Sequence, residues 1–352
     1  MSTARIVSLA TGVPEGRYSQ GDIFEAFAAF QQVPDRRIRA MRMIFDRAGV
    51  GFRHLVVGDG YFDRNRTTKE RNDLYMEEAV PLAAKTICKG LNEAGYAPGD
   101  VDDLIVVSCT GFSIPGLDLH LAGRLKMRSD LRRTCVLGMG CYGAFPTLNR
   151  AFDTARADAK RLTLIASVEL CSLHMQTDDS AENIVSSALF SDGAAMVLIG
   201  HDTDAPHRWP QIIDTATACD YTTLDHMSFT VTDHGFRMYL SSYVPDILSS
   251  QVKGFVDALL AKNNLTRSDV RFWGIHPGSS KIVDYVQHQL ELTDAQVEDS
   301  HAVLHDYGNM SSATILFVLD RITRCQQPAP GEYGVLMAFG PGLTIEGMLV
   351  RW

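Results

Sequence analysis

The order of apolar runs and helical stretches in this chain occurs twice, and that repetition limits the available folds more than any other feature. In the first half Asp100-Val101 leads into Leu104-Ile105-Val106-Val107-Ser108. A second run, Thr134-Cys135-Val136-Leu137, passes through Gly138 and Gly140 to Cys141 and a helical stretch, and Leu162 to Glu169 forms a third. In the second half Asp269-Val270 leads into Arg271 to Ile275, Gly308 and Asn309 precede a helix over 313–322, and Tyr333 to Phe339 completes the order. These runs are continuously apolar, as in strands covered by helices on both faces. Repeated strand–helix–strand halves with right-handed crossovers predict an α/β protein of two similar layers packed face to face. The halves divide into 1–205 and 206–352, with Pro206 to Pro210 as the connector. Further helices are expected over 19–32, 36–48, 65–95 and 246–262. Alignment of the halves sets Cys141 against Asn309, each at a helix start after a glycine. A pseudo-twofold axis would then bring Cys141, His276 and Asn309 together.

With 352 residues, 45% hydrophobic and 21% charged, the chain has an ordinary globular composition and room for a large core. No apolar run reaches the length of a membrane span, and the apolar part of the N-terminus is too short for a signal peptide, so a cytoplasmic protein is expected. Seven cysteines without CxxC spacing argue against a disulfide framework and a zinc site. The net charge of −9 argues against a nucleic-acid surface. Against it stand Arg36, Arg37, Arg39, Arg42, Arg47 and Arg53, which form either a phosphate-binding patch or one solvated helix face.

Cys141 sits where a helix begins. Unpaired N–H groups of a first helical turn favour thiolate over thiol, so a nucleophile with a lowered pKa is one expectation and a buried structural cysteine the other.

Five ordered blocks carry a resemblance. Gly140-Cys141, Ala188-Leu189-Phe190-Ser191-Asp192-Gly193, Ile275-His276-Pro277-Gly278, Tyr307-Gly308-Asn309-Met310-Ser311-Ser312-Ala313 and Phe339-Gly340-Pro341-Gly342-Leu343-Thr344 resemble the type III polyketide synthases, the chalcone synthase superfamily, over essentially the whole chain. The resemblance implies a thiolase fold, internally duplicated with αβαβα layers. It implies that Cys141 carries the starter and growing acyl chain, that a His276 imidazolium keeps the thiolate ionised, and that His276 and Asn309 bond the thioester carbonyl. Malonyl-CoA and an acyl-CoA would be substrates, with no metal or organic cofactor.

By the same resemblance Phe190 is the gatekeeper between CoA tunnel and cavity, and Met238 stands where a second gatekeeper phenylalanine is usual. Cys109, Cys171, His174 and Phe229 would line the cavity. The Ile114-Pro115 loop would reach a partner subunit's cavity, implying a homodimer. Arg39, Arg42 and Arg47 would meet CoA phosphates, although their spacing differs from the family's by a residue. Ser279 departs from the usual His-Pro-Gly-Gly at the CoA mouth, and Pro146 falls early in the Cys141 helix. Small Cys109 and Cys171 suit an aliphatic acyl starter closing to an alkylpyrone or alkylresorcinol, whereas Phe229 restricts a large aromatic one. The alternatives are an all-malonyl or aromatic-starter product of naphthol, phloroglucinol or chalcone type, a β-ketoacyl-ACP synthase III, or a catalytically inactive binder of CoA esters.

Overall fold

A computed structural model describes residues 4–29, 33–58, 60–176, 178–200, 208–240 and 244–352. In chain order its strands are β1 (Arg5–Gly12), β2 (Arg17–Ser19), β3 (Phe52–His54), β4 (Asp103–Val107), β5 (Arg132–Val136), β6 (Thr163–Leu170), β7 (Asp192–Gly200), β8 (Gln211–Cys219), β9 (Met227–Thr232), β10 (Gly235–Leu240), β11 (Val270–Ile275), β12 (Tyr333–Gly340) and β13 (Thr344–Arg351). The helices are α1 (Gln20–Ala29), α2 (Asp35–Asp46), α3 (Thr68–Ala94), α4 (Leu117–Arg124), α5 (Ala144–Ala157), α6 (Ala181–Leu189), α7 (Val244–Lys262), α8 (Ser280–Leu290), α9 (Asp294–Tyr307) and α10 (Thr314–Arg321).

Local chemistry sets the helix limits. A capping box between Thr67 and Glu70 starts α3, and left-handed Gly95 at φ 75° ends it. Pro146 occupies the first turn of α5, where its missing N–H costs no hydrogen bond.

The duplication is visible in the strand order β11-β12-β13-β8-β1-β7-β6-β4-β5. Strands β4, β6, β7 and β1 have the same sequence of parallel and antiparallel pairings as β11, β12, β13 and β8. The two similar layers expected face to face are present, with helices between them. The two groups join edge to edge, with Arg5 opposite Gln211 and backbone bonds from Ile6 N to Pro210 O and from Ile212 N to Ala4 O. Helices α5 and α10 fill the space between them. Phe145, Leu148 and Phe152 of α5 share one core with Ile315, Leu316 and Leu319 of α10, Ile165 of β6 and Leu336 of β12. Burying such side chains contributes about 1.5–3 kcal/mol each. A second core lies between α3 and the outer face of the first group, a third between α7, α8 and the second. The result is the αβαβα stack. Residues 206 and 207 of the expected connector lie outside the described residues.

The hairpin β9–β10 pairs only with itself and stands apart from the large sheet.

Candidate active site

Three chain segments converge beside the central helices. Cys141 lies in a 3-10 turn over Gly140–Tyr142 that precedes α5. Gly140 has φ 66°, and a Cβ there would lie 2.9 Å from Pro341 Cδ, so glycine is required. Asn309 follows Gly308 at φ 71° and precedes the turn Ser311–Ala313 that opens into α10. His276 follows β11, its N–H donating to Met337 O at 2.8 Å. Asn309 Nδ2 donates to Gly278 O at 3.2 Å, and its Oδ1 accepts from Ser311 N at 2.9 Å. Ser311 itself adopts φ 48°, a strained conformation for a residue with a side chain.

The Ser311 hydroxyl and the Asn309 amide both hydrogen-bond the Cys141 thiol and favour its ionised form. They do not prevail. The side chain keeps a partial opening to the surface, but the surroundings of the sulfur are desolvated, and burial first, with the nearby Glu169 charge, pushes the thiol up to about 11. The expected lowering by a helix N-terminus is therefore corrected: α5 proper begins only at Ala144, and loss of water outweighs the remaining dipole. His276 is 1% exposed, and burial alone pulls its imidazole down to about 3. A resting imidazolium is corrected likewise, because no counter-charge offsets the desolvation. Both ring nitrogens of His276 are buried without a hydrogen-bond partner.

The anticipated cavity residues come together. Cys109, Cys171, His174, Phe190, Phe229 and Met238 line one enclosed pocket of about 40 Å³, joined by Phe236 and Ser311. A wider, mainly apolar cleft of about 720 Å³ adjoins it, sharing Cys109, Phe229 and Phe236. Phe190 meets Phe229 edge-on at 6.4 Å between ring centroids. His174 donates from Nε2 to Thr110 O at 2.7 Å and accepts at Nδ1 from Phe236 N at 3.1 Å. Burial pulls its imidazole down to about 4, so it is neutral.

Glu169 was not singled out as a site residue. Fully buried behind the pocket, it accepts from Cys109 N at 3.0 Å, Thr110 Oγ1 at 2.8 Å and Ser312 Oγ. Desolvation raises its pKa, against those bonds. The available signal was one carboxylate in an otherwise apolar strand.

The arginine cluster divides. Arg39 and Arg47 are exposed on and just after α2, whereas Arg42 pairs with Glu25 and Arg37 with Asp179. Arg53 does not belong to a surface patch: it is fully buried and donates to Ser187 O at 2.6 Å and Phe190 O at 3.0 Å. Just beyond Arg47, the position of a Cβ on Gly49 is 3.0 Å from Ser280 Cβ, so the end of α2 abuts the start of α8, which Ser279 precedes. Ile114 is 86% exposed, and Phe112, Leu137, Leu224 and Val231 are exposed beside the cleft. Among the described residues no set of metal-ligating side chains occurs, and no helix is long and apolar enough to cross a membrane.

The chain matches the N-terminal domain of chalcone and stilbene synthases over residues 2–203 and the C-terminal domain over 220–352. It is 34% identical to a 1,3,6,8-tetrahydroxynaphthalene synthase of Streptomyces peucetius, with 99% of this chain and 93% of that protein covered. It is 31% identical to an alpha-pyrone synthesis polyketide synthase-like protein of Mycobacterium tuberculosis, with 99% and 91% covered. Among solved structures it resembles PKS-I of the brown alga Ectocarpus siliculosus, with a TM-score of 0.94 and 29% identity over 100% of this chain and 98% of that one. It also resembles the tetrahydroxynaphthalene synthase of Streptomyces coelicolor, with a TM-score of 0.91 and 26% identity over 98% of each chain. Matched in both domains and along nearly its whole length, the chain belongs to the chalcone and stilbene synthase family and is a bacterial-like type III polyketide synthase.

Proposed function

We propose that Cys141 holds the acyl chain as a thioester while His276 and Asn309 stabilise the enolate formed when malonyl-CoA loses carbon dioxide. The observation that carries this reading is the buried His276 ring with neither nitrogen bonded, close to a segment held by the Asn309 amide. Leaving such a group unpaired costs about 1–3 kcal/mol, a cost relieved when a thioester oxygen binds there. Because both groups rest neutral, His276 first acts as a base. It takes the Cys141 proton as the sulfur attacks the incoming acyl-CoA, and returns it to the departing CoA thiolate. Then, on malonyl-CoA, its ring N–H and the Asn309 amide face the oxygen where negative charge develops, and the enolate carbon attacks the Cys141 thioester, breaking the acyl–sulfur bond, releasing the Cys141 thiolate and leaving the extended chain on CoA. Arg39, Arg47 and Ser279 supply the CoA rim, and no cofactor is needed.

The starter is an aliphatic acyl-CoA, extended by malonyl units and closed to an alkylpyrone or alkylresorcinol. Support comes from the small side chains of Cys109 and Cys171 and from the apolar cleft that adjoins the enclosed pocket at Phe229. An all-malonyl, naphthol-type product is the second reading, favoured by the 34% identity to a 1,3,6,8-tetrahydroxynaphthalene synthase. Mass spectrometry of products from malonyl-CoA with acetyl-CoA, a series of acyl-CoAs, benzoyl-CoA and coumaroyl-CoA decides. Products whose mass tracks the acyl chain support the first reading, and malonyl-only products sink it.

The functional unit is a homodimer, in which the exposed Ile114-Pro115 loop reaches the partner's cavity and the apolar residues around the cleft are covered. Sedimentation should give a dimer, and Ile114→Asp should weaken it.

A further inference from the structure

One wall of the pocket is anchored and the other is loosely held. Cys109 and Thr110 are tied to buried Glu169. Opposite them, Phe229, Phe236 and Met238 belong to the β9–β10 hairpin, which no strand of the large sheet supports. The position of that hairpin depends on contacts at its turn and at Arg237, which meets Asp178 Oδ1 at 3.4 Å and Ser180 Oγ at 3.3 Å. At its turn, Thr68 N donates to Asp233 O at 2.8 Å and Thr68 Oγ1 accepts from Gly235 N at 2.7 Å. Gln176 Nε2 donates to His234 O at 2.9 Å. His174 hydrogen-bonds to both walls, to Thr110 on one side and Phe236 on the other.

Its bonding leaves one tautomer. The Phe236 amide can only donate, so Nδ1 must accept, and the ring proton on Nε2 goes to the Thr110 carbonyl. The imidazole also stacks on Phe236, with centroids 4.1 Å apart and planes 4° from parallel. Gly235, at φ 100°, lets the hairpin come this close: a Cβ there would lie 3.0 Å from His174 Nδ1 and 2.8 Å from Arg71 Cδ.

We propose that His174 is a positioning residue whose Nδ1 latches the β9–β10 hairpin to the turn that follows β6, with the Thr110 bond holding the ring's tautomer, so setting the width of the acyl cavity and the number of malonyl extensions. The second clause rests on the polyketide reading of this pocket; the latch itself does not. A growing chain stops extending when it fills the space between the walls, and a released hairpin enlarges that space.

Two variants separate the two bonds. In His174→Asn the amide oxygen falls near the position of Nδ1 and can still accept from Phe236. In His174→Gln the amide falls near Nε2, keeping the Thr110 contact and losing the hairpin. Hydrogen exchange on the whole protein should show the Phe236 amide exchanging about tenfold or more faster in His174→Gln and within about threefold of wild type in His174→Asn, in line with loss of one local hydrogen bond. The fraction of product at each extension number, which is independent of overall rate, should shift to longer or mixed products in His174→Gln only. Equal exchange in both variants and wild type, or equal perturbation by both, overturns the latch. Altered exchange with an unaltered product distribution overturns the cavity-width clause alone, and absence of any ketide product counts against the polyketide reading while exchange still tests the latch. If His174→Gln does not fold, Thr68→Val tests the same point with His174 in place. Exchange should rise at Asp233 to Gly235 while Phe236 stays protected, and loss of protection at both refutes an independent latch.

Discussion

The helix starts at Cys141 and Asn309 occupy equivalent places in the two halves, and they differ in instructive ways. Each follows a left-handed glycine, each includes a short 3-10 turn, and each opens into a central helix. In the first half the preceding segment is a paired strand, β5. In the second, Asn309 has only an isolated bridge to Phe190. That bridge, with Ser191 N donating to Asn309 O and Asn309 N to Leu189 O, ties Asn309 to the Phe190 segment. One scaffold thus presents a thiol from one half and an amide held by hydrogen bonds from the other, the pair proposed above as nucleophile and donor. The donor is the more rigidly held of the two, as expected where catalysis needs preorganised dipoles.

The sharpest way to break the comparison is to remove each group separately. Cys141→Ala should lower product formation by at least about 10⁴-fold, because it removes the thiol proposed to carry the acyl chain. It should leave some malonyl-CoA decarboxylation, measured as carbon dioxide release. Asn309→Ala should lower decarboxylation itself by about 10²–10³-fold, the usual loss for one oxyanion donor. If Cys141→Ala abolishes decarboxylation while Asn309→Ala spares it, the assigned division of labour is reversed.

Titration tests the electrostatic difference. A thiol raised to about 11 is almost wholly protonated near neutrality, and the thiolate fraction gains a factor of about ten per pH unit below that value. Alkylation followed on the Cys141 peptide of the free enzyme should therefore climb about tenfold per unit from pH 6 to 9 without a plateau. A plateau by pH 7 would mean that an ion pair with His276 survives burial.

The smallest effects concern the glycines. Gly308→Ala should cost about 3 kcal/mol in urea denaturation, because its Cβ would meet Leu189 O and Ser191 Cβ at 3.0 Å and Arg53 Cγ at 2.9 Å. Gly140→Ala should cost less, about 1–2 kcal/mol, since Pro341 Cδ lies on a loop that can shift. Equal costs would show that the second helix start is no more constrained than the first.

Much of this was legible in the residues. Continuously apolar runs marked strands buried on both faces, because a strand with one wet face would alternate. Glycines before Cys141 and Asn309 marked left-handed turns, since only glycine adopts them without strain. Pro146, placed early in the Cys141 helix by its position, falls in the first turn, where proline is tolerated. Other features were closed to sequence. Arg53 looked like a member of a cationic patch because charge pattern carries no record of burial; only packing against Ser187 and Phe190 shows its carbonyl partners. The role of Glu169 leaves no local mark in the sequence, because its partners, from Cys109 to Ser312, are far apart along the chain.

The sequence by itself determined the repeated strand–helix order, the turn glycines and the identities of the groups available for chemistry, because these depend on local periodicity and allowed backbone angles. The tertiary structure alone decided the edge-to-edge join at Arg5 and Gln211, the desolvation around Cys141 and His276, and the two-sided bonding of His174. Ionisation and hydrogen bonding are set by how much water is excluded and by what stands opposite, and both come from segments distant in the chain.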